Sequence, residues 1–411
     1  MSNPISQKKL KKLAKLSIHT GLGLKKGQDL IISAPIEALP LVRLVTKEAY
    51  KAGAGLVSCF YSDDKMSLIR YQNANDESFD KAPTWLFEGM AKAFDENAAR
   101  LAIIGDNPML LANEDPKKVG RVNKAMSKAG SPVRDRITAF NVNWNIIAYP
   151  TKDWAKLVFP NDKSKKAVKK LADAIFAASY ADKKDPIKTW EEHNKNLAKR
   201  SKWLNEQNFA SLHFKGEGTD LVVGLADGHE WAGGAATAKN GIICNANIPS
   251  EEVFTTPHAK KVNGYVCSTK PLSHAGSLID DIKVTFKDGK IIKASAGKGE
   301  EVLLKLLDTD EGARRLGEVA LVPFTSPISN SGILFYNTLF DENASCHIAL
   351  GQCYSKCFVD GDKITKEQVK KQGGNASAIH VDWMIGSEKM DIDGITQDGK
   401  KVPVFRQGEW V

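Results

Sequence analysis

No run of about 18 apolar residues occurs anywhere in the chain, which argues against a membrane-spanning helix. Cysteine is sparse: six residues lie at positions 59, 244, 267, 346, 353 and 357, without the density of a disulfide scaffold. A reduced, cytoplasmic compartment is the simpler inference. The net charge is +9, yet no aromatic residues interleave the lysines of 8–15, 163–170 and 183–202 as a base-stacking platform would require. We read a solvated basic surface and expect neither a nucleic-acid nor a membrane partner. The basic stretch from Lys8 to Leu16 has no apolar core region or small-residue cleavage site behind it. It reads as a surface helix with Leu10, Leu13 and Leu16 facing inward, not as a targeting signal. Gly21, Gly23 and Gly27 precede a strand instead of linking a strand to a helix, which speaks against a dinucleotide-binding turn. No internal repeat or low-complexity tract stands out.

What is present divides in two. A length of 411 residues exceeds one ordinary core, and two domains of roughly 200 residues are the natural division; we place them at 1–205 and 206–411. In the first half, short apolar strands at 29–33, 55–60, 101–105 and 144–149 alternate with helical stretches such as 41–52. This order predicts βαβ units and an α/β domain with a mainly parallel sheet. From 165 to about 207 the chain is polar and helical, with Trp190 and Trp203 as anchors, and reads as a bridge between domains. Beyond it, Asp288-Gly289 and Asp398-Gly399 are hairpin signals between apolar runs. The second half is therefore expected to be a strand-rich α+β domain with an antiparallel component.

Within that strand-rich half, charged groups interrupt sequence that otherwise reads as buried. Ser345-Cys346-His347-Ile348-Ala349-Leu350 and Ile379-His380-Val381-Asp382-Trp383 carry imidazoles and a carboxylate, which a low-dielectric interior does not hold unpaired. A period of two puts His380, Asp382 and Met384 on one face, and Ile379, Val381, Trp383 and Ile385 on the other. Two acidic strands precede these, Pro249-Ser250-Glu251-Glu252-Val253-Phe254 and Leu316-Gly317-Glu318-Val319-Ala320-Leu321-Val322. Two Glu, two His and an Asp meeting in one cavity form the ligand set of a metal hydrolase.

Plainer readings compete. Ser250 would serve as a helix N-cap with Glu251 and Glu252 in the first turn, but the β-prone residues 253–256 and then Pro257 leave no room for a helix. Only one of these two acids faces inward in an extended segment, and Glu252 shares its side with Phe254. Glu318 has Arg314 and Arg315 as alternative partners, and a single histidine such as His347 is commonly a satisfied core residue. Cys346, His347, Cys353 and Cys357 suggest a zinc knuckle, but the spacing fits no CxxC pattern, and Cys346 and His347 point to opposite faces of a strand.

The segments 247–258, 316–323, 326–332, 335–351 and 380–387 closely resemble the M29 family of metalloaminopeptidases. The likeness extends upstream through 148–151, 154–155, 158–160 and 218–221, and so covers most of the chain. It implies a two-metal centre built from Glu252, Glu318, His347, His380 and Asp382, with Tyr354 close by. It implies also a two-domain cytoplasmic enzyme that forms a homodimer around an enclosed chamber. The chain departs from the pattern at His274, where an aromatic is expected, and at Gln352-Cys353; neither is expected to touch a ligand.

The chemistry expected is release of N-terminal amino acids from peptides with a free N-terminus. Two divalent ions, Zn, Co or Mn, would polarise the carbonyl and activate water. Glu318 is expected to bridge, Glu252 to be a further ligand or a proton shuttle, and Tyr354 to coordinate or to donate to the oxyanion. The rival enzyme reading is a metal-dependent amidohydrolase on a small molecule. The rival of another class is a non-enzymatic binding protein that contains metal.

Overall fold

The computed structural model describes residues 4–274, 276–361 and 363–411. The chain forms two compact units, one of residues 1–192 and 235–249, the other of 193–234 and 250–411. The first boundary lies between Glu192 and His193, inside a long helix of residues 186–207. Nothing in the composition signals that 235–249 returns to the first unit.

The first unit begins with α1 (Gln7–Leu16), which buries Leu10, Leu13, Ala14 and Leu16 on one face as its period requires. Then come β1 (Leu30–Pro35), α2 (Leu39–Lys51), β2 (Val57–Ser62), α3 (Asp64–Asn73), α4 (Thr84–Asp95), β3 (Ala99–Ile104), α5 (Pro116–Thr138) and β4 (Trp144–Ala148). The four strands make one sheet in the order β2-β1-β3-β4. All its pairs are parallel, because each connection carries a helix back across the sheet. Three helices follow: α6 (Lys152–Val158), α7 (Ser164–Ala178) and α8 (Pro186–Gln207). Among the described residues no helix is long and apolar enough to cross a membrane.

The second unit opens with β5 (Ser211–Gly216) and β6 (Thr219–Leu225). The two-residue pair β7 (Ala236–Thr237) and β8 (Ile243–Cys244) belongs to the returning segment of the first unit. There Asn245 accepts a hydrogen bond from the buried Asn145 amide at 2.7 Å, and Phe140, Ala238 and Cys244 form a small core.

The second unit then runs through β9 (Val253–Thr255), β10 (Pro257–Cys267), β11 (Leu272–His274), β12 (Ser277–Ile279), β13 (Lys283–Lys287) and β14 (Lys290–Ser295). It ends with β15 (Leu316–Leu321), β16 (His347–Gly351), β17 (His380–Met384), β18 (Asp391–Ile395), β19 (Lys401–Arg406) and β20 (Glu409–Trp410). The hairpin between β13 and β14 turns at Asp288 and Gly289, both with positive φ (49° and 77°), as a two-residue turn between right-twisted strands requires. Eight strands form a sheet in the order β14-β13-β10-β6-β5-β18-β19-β20, and four form another in the order β17-β16-β15-β9. The four-stranded sheet is antiparallel throughout.

The two faces of that smaller sheet differ in kind. Val319, Leu321, Ile348, Leu350, Trp383 and Ile385 enter the main hydrophobic core of the unit. The opposite face carries the charged groups, and the register decides how they meet. Glu318 pairs with Ala349 and Ala349 with Asp382, while His347 stands between Ala320 and Met384 and Gly351 opposite His380. Small side chains at 320, 349 and 351 thus leave room between the large polar ones.

Candidate metal centre

Three strands and the residue before a fourth supply the five side chains singled out in the sequence. Glu252 immediately precedes β9, Glu318 lies on β15, His347 on β16, and His380 and Asp382 on β17. A bulge between Leu316 and Glu318 is permitted by Gly317, where a Cβ would stand 2.3 Å from the Gln352 carbonyl oxygen. It brings Glu318 onto the inner face.

The distances are short. His347 Nε2 is 3.1 Å from Glu252 Oε2 and 3.8 Å from Glu318 Oε1. His380 Nε2 is 3.8 Å from Glu318 Oε2 and 3.4 Å from Asp382 Oδ1. The two oxygens of Glu318 therefore face different histidines. Ligand atoms of Glu252, Glu318 and His347 all lie within 4.8 Å of one another.

Both imidazoles are oriented from behind. His347 Nδ1 lies 3.2 Å from the Ser345 carbonyl oxygen, and His380 Nδ1 lies 2.6 Å from that of Gln352. A carbonyl can only accept, so Nδ1 carries the hydrogen and Nε2 is left for the cluster, as in carbonyl-supported metal histidines. Gln352 was expected to touch no ligand; its backbone is what holds His380. Its side chain secures the same turn, donating to the Cys353 carbonyl at 2.8 Å and accepting from the Ser377 N–H at 3.1 Å.

Burial and charge act against each other throughout this cluster. Desolvation pushes the His347 imidazole down, but Glu252 and Glu318 outweigh it and hold it well above its usual value. His380 is likewise lowered by burial and raised more strongly by Asp382, to about 9. Burial raises the carboxyl of Glu318, only partly offset by His347. At Asp382 burial is outweighed by attraction to His380, and its carboxyl is lowered. Asp382 Oδ1 makes no hydrogen bond despite being buried. Buried acids crowded against two imidazoles are a donor set that suits divalent cations.

Tyr354 stands at the edge of the cluster. Its ring centroid is 4.7 Å from that of His380 and 6.4 Å from that of Phe254. Burial first, then the negative charge of Glu318 and Asp382, raises its phenol well above the usual value, so it stays a hydrogen donor.

Glu251 departs from expectation. It is not an outward acid: it is 6% exposed against 8% for Glu252. It points elsewhere, 3.8 Å from His193 Nε2, while its backbone N–H donates to Asn343 Oδ1 at 2.6 Å. The cysteines do not gather around His347. Cys346 packs in the main core and donates to the Val322 carbonyl at 3.4 Å, Cys353 packs against Phe358, and Cys357 against Phe254.

One acid that the sequence reading left without a role, Glu342, lines a cleft together with Asp382. It sits in a three-residue helical turn, Glu342–Ala344, too short to show a period. Its place within the long acidic motif 335–351 was the one available signal.

The comparisons agree with one another. The profile of a family described as thermophilic metalloprotease (M29) matches residues 6–410. The chain is 50% identical over 405 residues to aminopeptidase T of Thermus thermophilus, covering 98% of this chain and 99% of that one. It is 45% identical over 404 residues to aminopeptidase 2 of Geobacillus stearothermophilus, with 98% of each covered. Aminopeptidase PepS of Streptococcus thermophilus is 41% identical over 409 residues, with 99% of each covered. The solved structure of wild-type AmpT from Thermus thermophilus superposes with a TM-score of 0.93 over 98% of this chain and 99% of that one. With one profile spanning nearly every residue and relatives matched from end to end, the chain belongs to the M29 family of metalloproteases.

Proposed function

We propose that the chain, a metal-dependent aminopeptidase by its family, frees the N-terminal residue of peptides with water activated at two divalent ions. Glu252, Glu318, His347, His380 and Asp382 would hold them, and the ions would be Zn, Co or Mn. The observation that carries this reading is the convergence of these five groups, with both Nε2 atoms turned toward the carboxylates and Asp382 Oδ1 3.4 Å from His380 Nε2. Ions held there would polarise the scissile carbonyl and make water a nucleophile at neutral pH, help that an unactivated amide requires.

The chain's own groups supply the rest. Glu318, with an oxygen toward each histidine, would help to hold both ions. Glu252 is a ligand or a proton shuttle, taking the proton of the attacking water and returning it to the leaving amine. Tyr354, kept protonated, donates to the oxyanion as it forms.

We assign the second unit as the metal-binding catalytic domain. All six cysteines are free, which suits a reducing compartment, and we place the enzyme in the cytoplasm. A homodimer is the expectation that the family resemblance supports.

The deciding experiment compares an unblocked aminoacyl anilide with its N-acetylated form. Only the first should be hydrolysed; chelation should abolish turnover, and Zn, Co or Mn should restore it. Equal cleavage of both would favour a general amidohydrolase, and full activity in protein shown by elemental analysis to lack divalent metal would refute the metal mechanism.

A further inference from the structure

Glu342 lines a cleft with Asp382, one of the candidate ligands, without belonging to their set. The cleft is small, walled also by Leu272, Thr338 and Met384, and its free space of about 10 Å³ takes one water-sized group. Among the described residues its one hydrogen-bond contact is Asn343 Nδ2 at 3.5 Å, and none forms an ion pair with it. A half-buried acid beside another acid is costly to keep without a cation.

The neighbouring acid is different. Asp341, also lining the cleft, accepts the backbone N–H groups of Phe335 at 2.8 Å and Asn337 at 2.9 Å, one on each oxygen. Its carboxylate is occupied in closing the loop. Divalent ions would neutralise Glu252, Glu318 and Asp382, and Glu342 would then be the negative charge left unmatched.

An aminopeptidase substrate brings a cation of its own, the free α-ammonium. Around Glu342 the cleft is walled by Leu272, Pro271 and Met384 and by the hydroxyl side chains Thr338 and Ser273. The space there matches a group of ammonium size, with the hydroxyls beside the carboxylate as further acceptors.

We propose that Glu342 receives the α-amino group of the substrate's first residue in the small cleft between Leu272, Thr338 and Met384. The proposal rests on the aminopeptidase reading of the site. It makes Glu342 the residue that demands a free N-terminus, since an acetylated amine is neutral and offers the carboxylate no ion pair.

The test uses full-length enzyme loaded with divalent metal and the variants Glu342→Gln, Glu342→Ala and Glu342→Asp. Leucinamide and its des-amino analogue, 4-methylpentanamide, serve as competing inhibitors of leucine-anilide hydrolysis. Glu342→Gln is expected to raise KM for the anilide more than it lowers kcat. It should also reduce the preference for the amine-bearing inhibitor by at least about tenfold, the loss of one charge-assisted hydrogen bond. Glu342→Asp should recover part of the preference, and metal content by elemental analysis should equal that of the wild type. An unchanged preference in Glu342→Gln, or the loss of an ion from it, would overturn the proposal. Should that variant not fold, Glu342→Ala and Glu342→Asp carry the same comparison. A wild type that cleaves no unblocked anilide would instead sink the functional reading itself.

Discussion

Glu251 and Glu252 are adjacent and both buried, yet they approach different histidines, His193 at 3.8 Å and His347 at 3.1 Å. Glu252→Gln takes a charge from the cluster, and turnover with metal in excess is expected to fall about 100-fold or more. Glu251→Gln leaves the cluster intact but weakens a buried polar contact, so it should lower stability by about 1–3 kcal/mol while much of the turnover survives. Measured kcat and melting temperature separate the two; a dead Glu251→Gln that melts normally would reverse the assignment. The histidines add a pH dependence. In the metal-free protein both are held above their ordinary value, His380 at about 9, so both carry a proton at pH 7. Ligation must displace it. Apparent metal affinity should therefore rise with pH toward about 9 and weaken below it. Calorimetric titration of the metal-free protein with Zn at pH 7, in buffers of different ionisation enthalpy, counts the protons; release of none would remove both histidines from the ligand set.

On β16 the division of labour between faces predicts opposite phenotypes for neighbouring residues. Ile348 enters the core, and Ile348→Ala should cost about 2–5 kcal/mol of stability with metal content unchanged. Ala349 lies between Glu318 and Asp382 in register. Ala349→Val would fill the space between those carboxylates and should empty the metal site at a smaller loss of stability, about 1–3 kcal/mol. Unfolding curves and elemental analysis of the two variants check this; equal metal content in both would contradict the face argument. Much of this is legible in the sequence, because alternation survives in any strand: His380, Asp382 and Met384 against Val381, Trp383 and Ile385. The parallel strands of the first unit are legible for a related reason, being short apolar runs with helices between. Other features are not. Glu252 precedes its strand in a segment covered on both sides, so the rule that one acid faces out fails for Glu251. Glu342 lies on a turn with no period to read, and the support of His380 comes from a backbone carbonyl, which no side-chain pattern reports.

At the scale of the molecule, the first unit is discontinuous: 235–249 completes it. That segment accepts a hydrogen bond from the Asn145 amide, pairs Asn247 with Ile146, and covers Phe140 and Trp144 with Ala238 and Cys244. A fragment of residues 1–205 would take the Asn245 acceptor from the Asn145 amide and leave those aromatics exposed, and we expect it to lack a cooperative melt or to aggregate. Adding 235–249 in place through a short linker should restore one. A sharp thermal transition in the shorter fragment would show that the returning segment is dispensable. The same interleaving orders events on the ribosome. By the time residue 249 emerges and the first unit can close, β5 and β6 of the second are already outside, waiting for strands not yet made. Synthesis therefore passes through a stage in which an apolar hairpin has no sheet to join, and the nascent chain would engage a chaperone at that stage rather than at its beginning or its end.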